Sequence, residues 1–350
     1  MFNSLRQRFA ALLCTSVLAA CAGAPSVPDA PPLAVDDFLV PSTSAGIELF
    51  VRNKRVKGAE AFPSHRIVLF VHGVTFPSES TFDLSLDGLS WMDHIARAGY
   101  DVYLVDVRGY GGSTRPPAMS EPPERHPPVA TLTEAVADVG SAVDFIRRRR
   151  HVERINLIGW SWGTAVMGRY AATQGDKVER LVLYAPVWQR TTESPAAGGT
   201  APNTAYRLVN VAAARSRWLA GVAPEKHEQL LPRAWYEAWV AANLATDPWG
   251  STRSPAVMRA PNGGLPVPHA PGGWVPPYDP AAITAPTLLV KGEWDADTPS
   301  HMAQALFPLL VNAPVRQYVE IGEGTHSIML ERNRMQLFRV VQGFLEGATP

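Results

Sequence analysis

The sequence predicts an α/β fold: a doubly wound, mostly parallel sheet with a helical cap inserted into it. Three observations carry this. Short apolar runs alternate with longer segments of helical spacing. Several of the runs are apolar at every position, as strands of a parallel sheet covered on both faces must be. One long segment, residues 188–282, breaks the rhythm between two such runs.

The elements follow in chain order. Arg6 and Arg8 precede an almost uninterrupted apolar stretch from Ala10 to Ala20. A helix of that length is only about 16 Å long against a hydrocarbon core of about 30 Å, so residues 1–20 read as an export signal. Residues 21–36 are Ala- and Pro-rich and read as an extended tether. Residues 37–187 form the first part of the core. Strands are expected at Ile47–Val51, Ile67–Val71, Asp101–Asp106, Arg154–Ile158 and Arg180–Tyr184, two antiparallel strands leading into the sheet. Helices are expected over Leu89–Arg97, stopped by Gly99, and over Thr131–Arg148, opened by a capping box of Thr131 with Glu134. A third helix runs from Ser161 to about Ala172.

Residues 188–282 carry Trp188, Trp218, Trp235, Trp239, Trp249 and Trp274. Helical stretches are expected near Ala205–Leu219 and Glu225–Ala242, followed by a Pro/Gly-rich tail from Pro261 to Pro280. Such an insertion predicts an apolar cap over the C-terminal edge of the sheet, where open α/β sheets bind ligands. Residues 283–350 resume the alternation, with strands at Pro286–Val290 and Val315–Glu320 and helices at Pro299–Leu309 and Ser327–Leu345.

Composition narrows the function. The 350 residues carry a formal net charge of zero, which provides no basic surplus for nucleic acid. Of the two cysteines, Cys14 lies in the export segment, so the mature chain keeps only Cys21 and no intramolecular disulfide or cysteine metal site is expected. No His/Asp/Glu spacing suits a metal, and no phosphate-binding fingerprint is complete, so neither metal nor cofactor is expected. Arg147–Arg150 read as a solvated helix end that complements the helix dipole. Pro116–Pro128 read as a stiff loop near the mouth of the site.

The chemistry centres on Gly159-Trp160-Ser161-Trp162-Gly163. A serine hydroxyl must stand clear of the sheet and find a base before it can attack a carbonyl. A sharp turn from strand to helix exposes it, and glycines two residues to either side let strand and helix pass closely. The motif directly follows the apolar run Ile155–Ile158 and opens a helix.

In this setting the chain resembles the α/β-hydrolase superfamily, in particular its capped, esterase- or lipase-like serine hydrolases, from about residue 37 to 346. The family's chain order of nucleophile, acid and histidine implies Ser161, Asp295 and His326. His326 lies in the loop Gly322-Glu-Gly-Thr-His326-Ser between the last strand and last helix. Glu293, Asp295 and Asp297 all follow Gly292. The family spacing of three residues after the glycine selects Asp295 and leaves Asp297 as a rival that would otherwise cap the next helix. His72-Gly73-Val74-Thr75 matches the family's His-Gly loop, which makes the backbone N–H groups of Val74 and Trp162 the oxyanion donors and gives His72 a structural part. Asp106-Val-Arg-Gly109-Tyr-Gly111-Gly112-Ser113 resembles a family turn. Ser161 stands where dehalogenases and epoxide hydrolases carry an aspartate. Trp162 is similar to the elbow of prolyl aminopeptidases, but their Gly- and Pro-rich oxyanion segment is replaced by Gly73-Val-Thr-Phe76.

The implied activity is hydrolysis of carboxylic ester-type bonds of a hydrophobic small molecule through an acyl-enzyme. Lactones, thioesters and amides stay open, as do acyl transfer or aminopeptidase action on the same triad, and binding without catalysis. Leu18-Ala19-Ala20-Cys21 resembles the lipobox of bacterial lipoproteins, implying cleavage before Cys21 and diacylglyceryl attachment to its sulfur. Ala22 after the cysteine implies the outer membrane, so the expected location is the bacterial cell envelope, with the membrane as partner through the anchor. Nothing in the pattern sets an oligomeric state.

Overall fold

The computed structural model of the protein describes residues 31–189, 203–265 and 274–347. The expected signal 1–20 and lipid-bearing Cys21 lie outside them. The first part of the core contains β1 (Leu33–Pro41), β2 (Glu48–Val56), β3 (Ile67–Val71), α1 (Ser78–Phe82), α2 (Trp91–Arg97), β4 (Asp101–Val105), α3 (Leu132–Arg150), β5 (Ile155–Trp160), α4 (Trp162–Thr173) and β6 (Val178–Tyr184). The insertion holds β7 (Tyr206–Val209), α5 (Arg215–Trp218), α6 (His227–Leu230), α7 (Arg233–Ala245), α8 (Pro248–Ser251) and β8 (Met258–Pro261). The core then closes with β9 (Thr287–Gly292), α9 (Ser300–Leu306), β10 (Arg316–Ile321) and α10 (Met335–Leu345).

Eight strands form one sheet in the order β1-β2-β4-β3-β5-β6-β9-β10. The β1–β2 and β2–β4 pairs are antiparallel and every later pair is parallel. This is the doubly wound sheet with two antiparallel strands leading in. β3 shows why its sequence is apolar throughout. Ile67, Leu69 and Val71 pack into one core with residues of α3, α4 and α9, while Val68 and Phe70 pack into a second with α2 and α10. Burying each such side chain contributes about 1.5–3 kcal/mol, and here both faces of the strand gain it.

Local signals set several ends. Thr131 and Glu134 form the capping box of α3, Ser90 and Asp93 form one for α2, and Gly99 takes φ +87° after α2. No helix among the described residues is long and apolar enough to cross a membrane.

The structure departs from expectation in several places. β1 begins at Leu33, inside the tether expected over 21–36; its exposed Val35 and Leu39 blur the alternation that marks a strand. Tyr206–Val209 is not helical but pairs antiparallel with Met258–Pro261, a partner too distant in sequence for local pattern to reveal. α9 stops at Leu306 because Pro308 lacks the N–H a helix needs, and a tight turn follows. The helix expected over Ser327–Leu345 becomes a short turn, then α10 from Met335, because Glu331 is drawn into the interior. Finally, Arg150 is not solvated: it donates to the fully buried Asp101 carboxylate at 2.6 and 2.9 Å.

Candidate active site

Ser161 sits between β5 and α4 at φ +56° and ψ −123°, a left-handed conformation that costs a non-glycine residue of order 1–3 kcal/mol. Its neighbours explain how the strain persists. A Cβ on Gly159 would lie 2.3 Å from the Gly163 carbonyl oxygen, and one on Gly163 would lie 2.6 Å from that of His72. Only hydrogen fits at either position, so strand, elbow and helix close together. The Ser161 N–H donates to the Tyr184 carbonyl at 2.9 Å, and the Thr164 hydroxyl donates to the Ser161 carbonyl at 2.6 Å. The turn is therefore held from β6 as well as from α4.

His326 is almost fully buried, and its Nδ1–H donates to both oxygens of Asp295, at 3.0 and 2.9 Å. Asp295 also accepts from the backbone N–H groups of Asp297 and Thr298, at 2.9 and 2.8 Å, and from the Thr298 hydroxyl at 2.7 Å. A carboxylate so held stays in place and leaves the imidazole Nε2 as an acceptor. Asp297 does not cap α9, which has no side-chain cap. Its carboxylate instead accepts from Arg217 of α5, at 2.5 and 3.3 Å, which joins cap to core.

Two contacts without a local sequence signature hold the histidine loop to the serine elbow. The His326 carbonyl accepts from Trp160 Nε1 at 2.9 Å and from the Tyr184 hydroxyl at 2.8 Å. Both donors end strands beside the elbow. Ser161 and His326 consequently line one cavity, together with Val74 and Trp162. No hydrogen bond joins the Ser161 hydroxyl to the His326 ring among the described residues; catalytic contacts of this kind commonly shorten only in the substrate complex. Trp162 is the first residue of α4, and its N–H belongs to the first turn of amides that have no partner within the helix.

The walls are mainly apolar, with Phe76, Val187, Trp218 and Trp239 facing the cavity and Arg217 and Asp297 at its polar side. The tryptophans of residues 188–282 pack in separate groups. Trp188 packs on Trp274 and Tyr278 with ring centres 4.9 and 5.3 Å apart, and Trp249 carries Arg253 and Arg259 over its ring. Trp218 is anchored by its Nε1, which donates at 2.8 Å to the fully buried Glu331. Glu331 also accepts from the hydroxyl and N–H of Thr325, the residue before His326, and burial pushes its pKa up to about 7.

His72 has a structural part. Its Nδ1–H donates to the Gly73 carbonyl at 2.7 Å, its Nε2 accepts from the Val107 N–H at 3.1 Å, and burial pushes its pKa down to about 4. Asp106 holds the neighbouring turn by accepting from the N–H groups of Ser78 and Gly112. Among the described residues, no group of three or more His, Cys, Asp or Glu side chains could hold a metal ion.

Comparison with known proteins agrees with this architecture. The family described as alpha/beta hydrolase fold matches residues 66–332. Epoxide hydrolase A of Mycobacterium tuberculosis is 31% identical over 146 residues, 41% of this chain, and the match spans 39% of that protein's length. Two solved structures share the fold at low identity. A 2-hydroxy-6-oxo-6-phenylhexa-2,4-dienoate hydrolase from Rhodococcus is 16% identical with a TM-score of 0.57, covering 89% of this chain and 99% of that one. A carboxylesterase from Bacillus subtilis is 19% identical with a TM-score of 0.54, covering 91% and 94%.

Proposed function

Since the chain belongs to the alpha/beta hydrolase fold family, we propose that it is a serine hydrolase cleaving carboxylic ester-type bonds of a hydrophobic small molecule. The observation that carries this reading is the strained Ser161 elbow in the cavity that His326 lines while Asp295 holds the histidine's far nitrogen. In the first half-reaction His326 Nε2 takes the Ser161 proton as Oγ bonds to the acyl carbon, and the carbonyl π electrons move onto oxygen. The N–H groups of Val74 and Trp162 stabilise that oxyanion. Collapse breaks the ester bond, and His326 protonates the departing alkoxide. Water, deprotonated by His326, then releases the acid and restores the serine. Thioesters, lactones and amides present the same carbonyl to the same groups, and the apolar walls favour an apolar acyl or alcohol part.

The partial likeness to an epoxide hydrolase does not extend to that chemistry. A carboxylate that opens an epoxide forms an ester, which water can cleave. A serine oxygen would form an ether, which the same machinery cannot hydrolyse. Ser161→Ala is expected to lower kcat by roughly 10⁴–10⁶-fold while the protein stays folded, and a fluorophosphonate probe is expected to label Ser161 alone. An active Ser161→Ala variant, or an unlabelled Ser161, rejects the reading. The Leu18–Cys21 segment supports a further part of the proposal: the enzyme works at the bacterial cell envelope, anchored by lipid on Cys21.

A further inference from the structure

A buried cation is among the contacts that join the cap to the site's machinery. Arg207 of β7 is 3% exposed. Its Nη1 donates to the Pro261 carbonyl at 2.8 Å and to Asn262 Oδ1 at 3.2 Å, which fixes the guanidinium to β8 and the turn after it. Its Nη2 crosses to the core and donates to the Val74 carbonyl at 3.0 Å and to the Thr75 hydroxyl oxygen at 2.8 Å. The Tyr110 hydroxyl donates to the same Val74 carbonyl at 2.9 Å, so both lone pairs of that oxygen are engaged. Just beyond β8, a Cβ on Gly264 would lie 2.8 Å from Val74 Cγ2 and 2.5 Å from Trp162 Cε2. Cap backbone is thus pressed on both residues assigned as oxyanion donors.

We propose that Arg207 is a positioning residue for acyl transfer: it clamps the Val74 carbonyl and the Thr75 hydroxyl and so anchors the loop that presents the Val74 N–H before the oxyanion forms. This rests on the reading of Val74 and Trp162 as donors. With its carbonyl tied to two donors the Val74–Thr75 peptide plane cannot rotate, while the His72 bond to the Gly73 carbonyl holds the Gly73–Val74 plane that carries the Val74 N–H, and a preset N–H needs no reorganisation during the reaction. Burial pushes the Arg207 pKa down to about 10, so it keeps its charge near neutrality, the sign that favours a nearby oxyanion. The cap is then part of the catalytic machinery as well as a cover.

The test uses the full-length protein with Arg207→Met, Arg207→Lys and Thr75→Val, a short-chain p-nitrophenyl ester as substrate, and two inhibitors. An alkyl trifluoromethyl ketone forms an oxyanion on the serine, and the matching methyl ketone reports ground-state binding. Arg207→Met is expected to lower kcat roughly 10–100-fold, with KM changed by less than about threefold. Affinity for the trifluoromethyl ketone falls by the same factor, and methyl ketone affinity holds. Arg207→Lys recovers part of the loss. Thr75→Val, nearly isosteric, lowers kcat less and carries the test if Arg207→Met does not fold. Wild-type kcat and trifluoromethyl ketone affinity in the folded variants overturn the proposal, as does a rise in KM alone. Fluorophosphonate labelling separates the two levels. A labelled Ser161 with unaltered Arg207 variants sinks this inference only, whereas an unlabelled wild-type Ser161 removes the hydrolase reading and this inference with it.

Discussion

Asp295 and Asp297 lie two residues apart on one loop, yet they face different partners. Asp295 holds His326, while Asp297 holds Arg217 of the cap. The two substitutions should therefore differ in kind. Asp295→Asn keeps the shape but offers an N–H to the histidine and favours the wrong tautomer, so kcat should fall by roughly 10⁴-fold. Asp297→Asn loosens a cap contact and should cost less than about tenfold, mostly in KM. Equal losses in the two variants would contradict the assignment. His72 carries a separate prediction about stability. Its folded pKa of about 4 lies below the ordinary 6.5, so between those values the unfolded chain binds more protons and stability falls as pH falls. Glu331 and Asp106, pushed up to about 7 and about 6, run the opposite way, losing stability as pH rises through those values. Comparing wild type with His72→Gln cancels them. The wild type should lose roughly 3 kcal/mol relative to the variant between pH 7 and pH 4, at 1.36 kcal/mol per unit, measured by denaturant unfolding.

At the scale of elements, the β5–elbow–α4 unit depends on two missing side chains. Gly163→Ala would drive a methyl group to within 2.6 Å of the His72 carbonyl oxygen, which is backbone and cannot swing away. The helix must shift, so unfolding free energy should drop by about 1–3 kcal/mol, and activity should fall further because α4 carries Trp162. A thermal melt beside a kcat measurement checks both; an unshifted melting temperature would show that the elbow tolerates the methyl. The same element was legible in the sequence because strand, glycines and helix are contiguous. β7 was not. Its four residues lie beside Ala-rich neighbours that read as helix, and its stabilising partner, β8, comes only after α5, α6, α7 and α8.

For the whole molecule, the segment between β6 and β9 meets the core through polar ties as well as apolar contact. Arg207 reaches the Val74 loop, Arg217 reaches Asp297, and Trp218 reaches Glu331. None of these pairs is near in sequence, which is why periodicity and motif spacing did not reveal them. The proposed lipid anchor is tested at this scale too. Cys21→Ser should move the protein from the membrane fraction to the soluble one or leave an unprocessed precursor, read by fractionation and mass; unchanged membrane association would refute the lipid.

What the sequence alone determined is whatever neighbouring residues can encode. That covers the doubly wound sheet, from apolar runs buried on both faces, the capping box of α3, and the serine elbow with its two glycines. Contacts between distant segments decided the rest. Which carboxylate faces His326, why Tyr206–Val209 is a strand, and how a cap arginine grips the Val74 loop depend on side chains that meet only once the sheet has closed. Desolvation and hydrogen-bond geometry act on those meetings, and neither is written in any stretch of chain short enough to be read locally.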